Sequence, residues 1–193
     1  MTALTGAPRL LEHAVGYALA TAGLATPRLL PRPTPCAGWD LRTLVLHVGD
    51  SLGVLAEAMR DGQVGPGPAP DDEPDPVAHL RRRARVLLGA CAAAGAGERR
   101  VAIGDRELTV SVTAAAGAIE IAVHGWDISA ACGVHRPVPP GLAAALLPAA
   151  PLLIPRETRA GLFADPVPVP EAACPGDRLV AFLGRRPRPS GIA

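Results

Sequence analysis

The core of this chain has to be filled almost without aromatic rings. Hydrophobic residues make up 49% of the sequence and aromatics only 3%, so Ala, Leu and Val carry the burial. Small, unbranched side chains favour close helix–helix packing over a sheet, which β-branched and aromatic residues prefer. At 193 residues the chain is long enough to bury a sizeable core within one domain. The expected architecture is therefore all-α, a single domain over 1–193.

Charge and cysteine usage exclude several classes. The formal net charge is +1, too small to attract nucleic acid by bulk electrostatics. The four cysteines, Cys36, Cys91, Cys132 and Cys174, contain no C-x-x-C pair, which argues against a disulfide framework and for a reducing compartment. The N-terminus lacks a basic segment followed by a continuous apolar core, so no signal peptide is expected. No apolar run reaches the ~18 residues of a membrane span. A cytoplasmic protein with no membrane and no nucleic-acid partner is the expectation.

Helical periodicity runs through most of the chain. Leu11, Val15, Ala18, Ala22 and Ala25 form a first stripe, with His13 opposite it and expected in solvent. Pro27, Pro31, Pro33 and Pro35 then make an extended connector. Asp40 is a good N-cap for a second helix with its stripe at Leu41, Leu44, Val48, Leu52, Leu55 and Met59. His47 lies about 120° from the centre of that stripe, at the boundary, with Ser51, Val54 and Ala58 on its side as the wall of a shallow pocket. Residues 62–76 read as a Pro/Gly-rich, then acidic, loop that supplies negative charge to the next helix start. The third helix has its stripe at Val77, Leu80, Ala84, Leu87, Cys91 and Ala94, a solvated face at Arg81, Arg82, Arg83 and Arg85, and His79 off the stripe and exposed. A small hairpin around Gly104-Asp105 leads to a fourth helix over about 113–132, closed by Gly133. A helix near 141–154 is weakened by Pro148 and Pro151; extended chain over 163–170, a short helix over 173–184 and a frayed tail from Arg185 follow.

Three residues concentrate the chemistry: His47, Glu120 and His124. Glu120 and His124 stand one helical turn apart and share a face, with Asp127 within roughly 60° of both. Around them the helix is apolar at Ile119, Ile121, Val123, Trp126 and Ile128. An apolar circumference implies burial, and buried charge must be paired or bound to metal. Spacing alone leaves both readings open, a Glu–His hydrogen-bonded pair and a metal site. Neither HExxH nor a Cys/His cluster is present, and no G-x-G-x-x-G, Walker or G-x-S-x-G motif occurs.

The segment Thr34-Pro-Cys-Ala-Gly-Trp-Asp-Leu-Arg-Thr-Leu-Val-Leu-His47 resembles a Thr-Pro-Cys-x-x-Trp … Leu-x-x-His block of the DinB-like metalloproteins. Glu120-Ile-Ala-Val-His124-Gly-Trp-Asp-Ile-Ser-Ala-Ala-Cys-Gly133 is similar to the second signature of that family. The nearest branch is the one named for the N-terminal domain of mycothiol-dependent maleylpyruvate isomerase. The ending Asp177-Arg-Leu-Val-Ala-Phe-Leu-Gly-Arg-Arg-Pro187 resembles that of its stand-alone members.

The resemblance implies a four-helix bundle with a long crossover over about 9–133, followed by an extension over about 134–187. It implies a divalent metal held by His47, Glu120 and His124. Zinc suits that donor set with one open position, and nickel, iron or manganese are alternatives. It further implies mycothiol as a low-molecular-weight thiol co-substrate, hence S-transfer to an electrophilic small molecule or thiol-dependent isomerisation. Asp127 would orient His124, and Trp39 and Trp126 would line the substrate pocket. Cys36 is expected to be a small buried hydrophobe. The isomerase's additional C-terminal domain has no counterpart among the residues after the bundle, which leaves the substrate open. Thiol-independent hydrolysis or cyclisation, a non-catalytic metal-binding role, and assembly as a homodimer stand as alternatives or additions to this reading.

Overall fold

Among the described residues, four long helices carry the fold. The structure, a computed structural model, describes residues 6–65, 73–94, 99–104, 106–159 and 163–187. The first helix, α1 (Ala7–Ala22), starts after Gly6. Helix α2 (Leu41–Asp61) starts at the expected cap, where the Asp40 carboxylate accepts the Thr43 N–H at 2.8 Å. Gly62 ends it with φ at 70°, a left-handed turn that a side chain would strain. Helix α3 (Pro76–Ala94) is opened by Asp75, whose carboxylate accepts the N–H groups of Val77 and Ala78. Helix α4 (Val110–Ala131) begins earlier than the periodicity predicts, because Thr109 accepts the Val112 N–H and acts as cap. Gly133, with φ at 78°, closes it, and the N–H groups of Gly133 and Val134 return to the carbonyls of Ala130 and Ser129.

Helix α1 lies along α4 and α2 along α3, while α2 also touches α4 and α1 touches α3. Glycines and alanines set these distances. A Cβ on Gly117 would stand 2.7 Å from the Leu55 methyls, and one on Gly125 would stand 2.8 Å from the Tyr17 ring. Leu11, Leu44, Leu52, Leu87, Ile119, Ile121 and Ile128 are fully or almost fully buried between the helices. Each such side chain stabilises the fold by about 1.5–3 kcal/mol.

The all-α expectation needs one correction, for the protein is mainly helical with a small sheet. The expected hairpin is present as β2 (Arg100–Ile103) and β3 (Arg106–Thr109), paired antiparallel with Arg100 opposite Thr109. A third strand, β1 (Gln63–Val64), joins β2 in parallel, giving the order β1-β2-β3. Two residues are too few to show an alternating pattern, so this strand is invisible in sequence. The turn residue Asp105 and loop residues 66–72, with Asp71 and Asp72, lie outside the described residues.

Two further expectations shift. The helix over 141–154 is split into α5 (Pro140–Leu146) and α6 (Ala150–Leu153), as its prolines require. After α7 (Arg156–Arg159), residues 163–174 are irregular chain and lead to α8 (Pro175–Phe182), whose Leu179, Val180 and following Leu183 join the same hydrophobic cluster as α1–α4. His79 is buried rather than exposed, with Nε2 3.0 Å from Asp50 Oδ1 and Nδ1 3.7 Å from Glu73 Oε2. Gly49 makes the room: a Cβ there would sit 2.3 Å from His79 Cδ2. Arg81, Arg82 and Arg85 are exposed as expected, with Arg82 paired to Glu73, whereas Arg83 is half-buried against Gly53 of α2. No helix among the described residues is long and apolar enough to cross a membrane.

The helix contacts yield a sign test. Gly16 lies exposed in α1 with nothing within 4 Å of an added Cβ, so Gly16→Ala gains helix propensity, up to about 1 kcal/mol. Gly125→Ala gains the same but drives a methyl into the Tyr17 ring, whose hydroxyl is anchored on the Arg136 carbonyl at 2.6 Å. Overpacking costs about 1–3 kcal/mol and wins. Urea midpoints should rise for the first variant and fall for the second.

Candidate metal centre

Helices α2 and α4 bring His47, Glu120 and His124 together, their ligand atoms all within 4.8 Å of one another. His47 Nε2 stands 3.3 Å from Glu120 Oε1. Two ligands each about 2.0–2.1 Å from a tetrahedral zinc are separated by about 3.3–3.4 Å, so this hydrogen-bonded pair is also close enough to share an ion. The donor set of two imidazoles and one carboxylate suits zinc and also nickel, iron or manganese. His47 sits at the boundary its periodicity indicated, and the outer edge of the trio is open: the side chains of His47 and Glu120 are 36% and 38% exposed, that of His124 only 12%.

One turn after His47, Ser51 donates its hydroxyl to Glu120 Oε1 at 2.7 Å. Ser51 was expected only as a pocket wall; it holds the carboxylate in place. Burial pushes the Glu120 carboxyl up, but the hydrogen bonds from His47 and Ser51 and the two nearby imidazoles outweigh it and hold it below the ordinary carboxylate range. Glu120 is thus ionised at neutral pH, the form a metal ligand needs.

His124 is held from behind. Its Nδ1 lies 3.0 Å from Oδ2 of Asp127, a carboxylate with no exposed surface. The same oxygen accepts from Arg185 Nη2 at 2.8 Å and from the Cys36 thiol at 3.3 Å, and Oδ1 accepts from Arg185 Nε at 3.2 Å. Burial raises the Asp127 carboxyl, yet the bonds from His124 and Arg185 and the guanidinium charge overcome this and keep it below the usual range. An ionised carboxylate can only accept, so His124 donates from Nδ1 and its Nε2 lone pair is left for a metal.

Cys36, His124 and Asp127 form a second group of possible ligands. Arg185 Nη2 lies 3.4 Å from Cys36 Sγ as well as beside Asp127, so a cation already occupies that position. Burial and the Asp127 charge push the Cys36 thiol up to about 12, which keeps it protonated as a donor. An ion therefore fits the His47–Glu120–His124 group and not this one. The expectation that Cys36 is merely a small buried hydrophobe is corrected: it is half-buried and polar in its contacts.

The connector before α2 carries Cys36 and Trp39 to the site. The Thr34 hydroxyl accepts the Cys36 N–H at 3.1 Å and donates to the Trp39 carbonyl at 3.0 Å, while Gly38 takes φ at 80°. This closed turn explains Thr, Cys and Trp at their spacing. The Trp39 ring lies 4.7 Å from that of His47 and 6.4 Å, stacked, from that of His124. Trp126 does not join it. It is buried and lines a separate cavity of about 370 Å³ with Ser129, Arg136 and Arg185.

Arg185 is the residue that sequence reading missed, assigned there to a frayed tail. Its neighbourhood in the Asp177–Pro187 ending was the available signal; no local periodicity points from residue 185 to residue 127. Residues 188–193 of that tail lie outside the described residues.

A sequence model of the family described as mycothiol maleylpyruvate isomerase N-terminal domain matches residues 11–129, the span that holds His47, Glu120 and His124. Two proteins of Mycobacterium tuberculosis, from two strains and both described as uncharacterized, are 31% identical over 161 residues, covering 81% of this chain and 85% of theirs. No solved structure matches the chain at a significant level. With more than half of the chain matched, and with His47, Glu120 and His124 inside the match, the protein belongs to the mycothiol maleylpyruvate isomerase N-terminal domain family, a branch of the DinB-like proteins.

Proposed function

We propose that the protein is a metal-dependent enzyme, built on the family's four-helix bundle, that uses a low-molecular-weight thiol on an electrophilic small molecule. The observation that carries the reading is the 3.3 Å spacing of His47 Nε2 and Glu120 Oε1 beside His124, at an edge open to solvent. Mycothiol is the thiol the family points to. The outcome is S-transfer, or reversible addition and hence isomerisation. Four free cysteines among the described residues fit a reducing, cytoplasmic setting.

His47, Glu120 and His124 would hold a divalent ion, zinc suiting them best. When bound, it would lower the pKa of a thiol held at its open position, making a thiolate available at neutral pH. Glu120 supplies a negative charge fixed by Ser51. His124 supplies an imidazole whose rotation and tautomer are fixed by Asp127. The Trp39 ring walls one side of the two imidazoles. The half-exposed edge between His47 and Glu120 is where a small molecule enters.

Elemental analysis of purified protein should give about one divalent ion per chain, and His47→Ala, Glu120→Ala and His124→Ala should each abolish it. Retention of stoichiometric metal in all three would reject the site. The bundle core does not need the ion, so chelation should leave helical circular dichroism intact; its collapse would mark a structural metal instead.

Thiol use has its own readout. Titrating mycothiol into the metal-loaded protein should give saturable binding, and turnover of an electrophile should require it. Turnover without any thiol would assign the open position to water and the reaction to hydrolysis or cyclisation. Cys36→Ser should keep most activity, because the thiol contacts Asp127 and Arg185 on the Nδ1 side of His124. A metal-loaded but inactive Cys36→Ser protein would make Cys36 the nucleophile.

A further inference from the structure

We infer that Arg185 is a positioning residue for the metal centre, acting through Asp127 on His124. The inference rests on the metal site proposed above but concerns a residue outside the matched span 11–129.

The guanidinium meets Asp127 as a fork, Nε to Oδ1 at 3.2 Å and Nη2 to Oδ2 at 2.8 Å. A fork of this kind fixes the plane of a carboxylate, which a single donor cannot do. With the plane fixed, Oδ2 points at His124 Nδ1 from 3.0 Å. The imidazole then has only Nε2 free, on a side chain grouped with His47 and Glu120, the ligand atoms of the three lying within 4.8 Å of one another. Without Arg185, Asp127 would keep His124 and the weakly donating Cys36 thiol, and could rotate about its own side-chain bonds.

The arm that delivers Arg185 is itself built in. Helix α8 is bound to the core by Leu179 and Val180, and Leu183 after it is fully buried. The chain leaves α8 through Gly184 at φ 81°, where a Cβ would lie 2.8 Å from the Ala164 carbonyl oxygen. The Arg185 N–H returns to the Val180 carbonyl at 2.9 Å, and Nη1 donates to the Leu183 carbonyl at 2.9 Å. Only the remaining edge of the guanidinium faces Asp127. The Arg185 backbone completes the C-terminal turn of α8 through its bond to Val180, but the Nε–Nη2 edge of its side chain takes no part in that closure. The placement serves the carboxylate.

Two measurements on the full chain test this, one of them independent of metal. In the metal-free protein, ¹⁵N-detected imidazole spectra should show His124 as the Nδ1–H tautomer, and Arg185→Gln should turn it into a mixture. Competition with a chelator should then show metal affinity reduced on the order of 10–100-fold in Arg185→Gln, the loss usual when a ligand's orienting partner is removed. Arg185→Lys keeps the charge without the fork and should recover only part of both effects; should Arg185→Gln fail to fold, the Lys variant alone decides. An unchanged tautomer and unchanged affinity in a folded Arg185 variant would overturn the inference and leave the metal site standing. Failure of the wild-type protein to bind metal would reject the site, while the tautomer of the metal-free protein would still judge Arg185.

Discussion

A carboxylate with no exposed surface is tolerated only where donors occupy its lone pairs, and Asp127 is such a carboxylate. Its donors come from widely separated parts of the chain: the Cys36 thiol in the connector, the His124 ring on α4 and the Arg185 guanidinium beyond α8. A buried ion pair of this sort adds little net stability over an apolar replacement, but breaking it by removing one partner costs about 3–5 kcal/mol. Connector, α4 and tail must therefore arrive together. What the arrangement yields is orientation, since each donor also fixes something the site uses.

From that buried anchor the site opens outward. His124 is nearly covered, while Glu120 and His47 each keep more than a third of their side chains exposed. The rigid end of the trio is thus the end tied to Asp127, and the accessible end is the His47–Glu120 pair. A catalytic metal needs this asymmetry, with a fixed set of protein ligands and a free position facing incoming molecules. Trp39 contributes a hydrophobic wall without closing the opening, its ring against both imidazoles.

Much of this was legible in the sequence where the signals are local. Asp40 announced α2, and the four-residue spacing of Glu120 and His124 placed both on one face. The Asp127–His124 contact followed from the same helical geometry. Signals that depend on tertiary approach were not legible. His79 lies off its helical stripe, yet Gly49 on α2 leaves a notch that takes the ring in. Arg185 reaches a partner 58 positions away, a separation no periodicity encodes. Strand β1 exists only because β2 passes beside it, the Gly62 carbonyl accepting the Ala102 N–H at 2.9 Å.

The scarcity of aromatic residues and the ligand geometry share one cause. Along the seam between α2 and α4, His47, Ser51 and Leu55 follow one another at four-residue intervals, facing His124, Glu120 and Gly117 in turn. The two helices therefore run antiparallel there, and the bulk at the Leu55–Gly117 level sets their separation at the levels above. Gly117 leaves no side chain between the helices, and Leu55 fills that space. A ring in place of either would push the helices apart by more than the roughly 0.5 Å that a preorganised site tolerates. Ser51 would then lose its 2.7 Å bond to Glu120, and His47 its 3.3 Å approach. A core of Ala, Leu, Val and Gly is thus what lets α2 and α4 come close enough for His47 and Ser51 on one to reach Glu120 on the other.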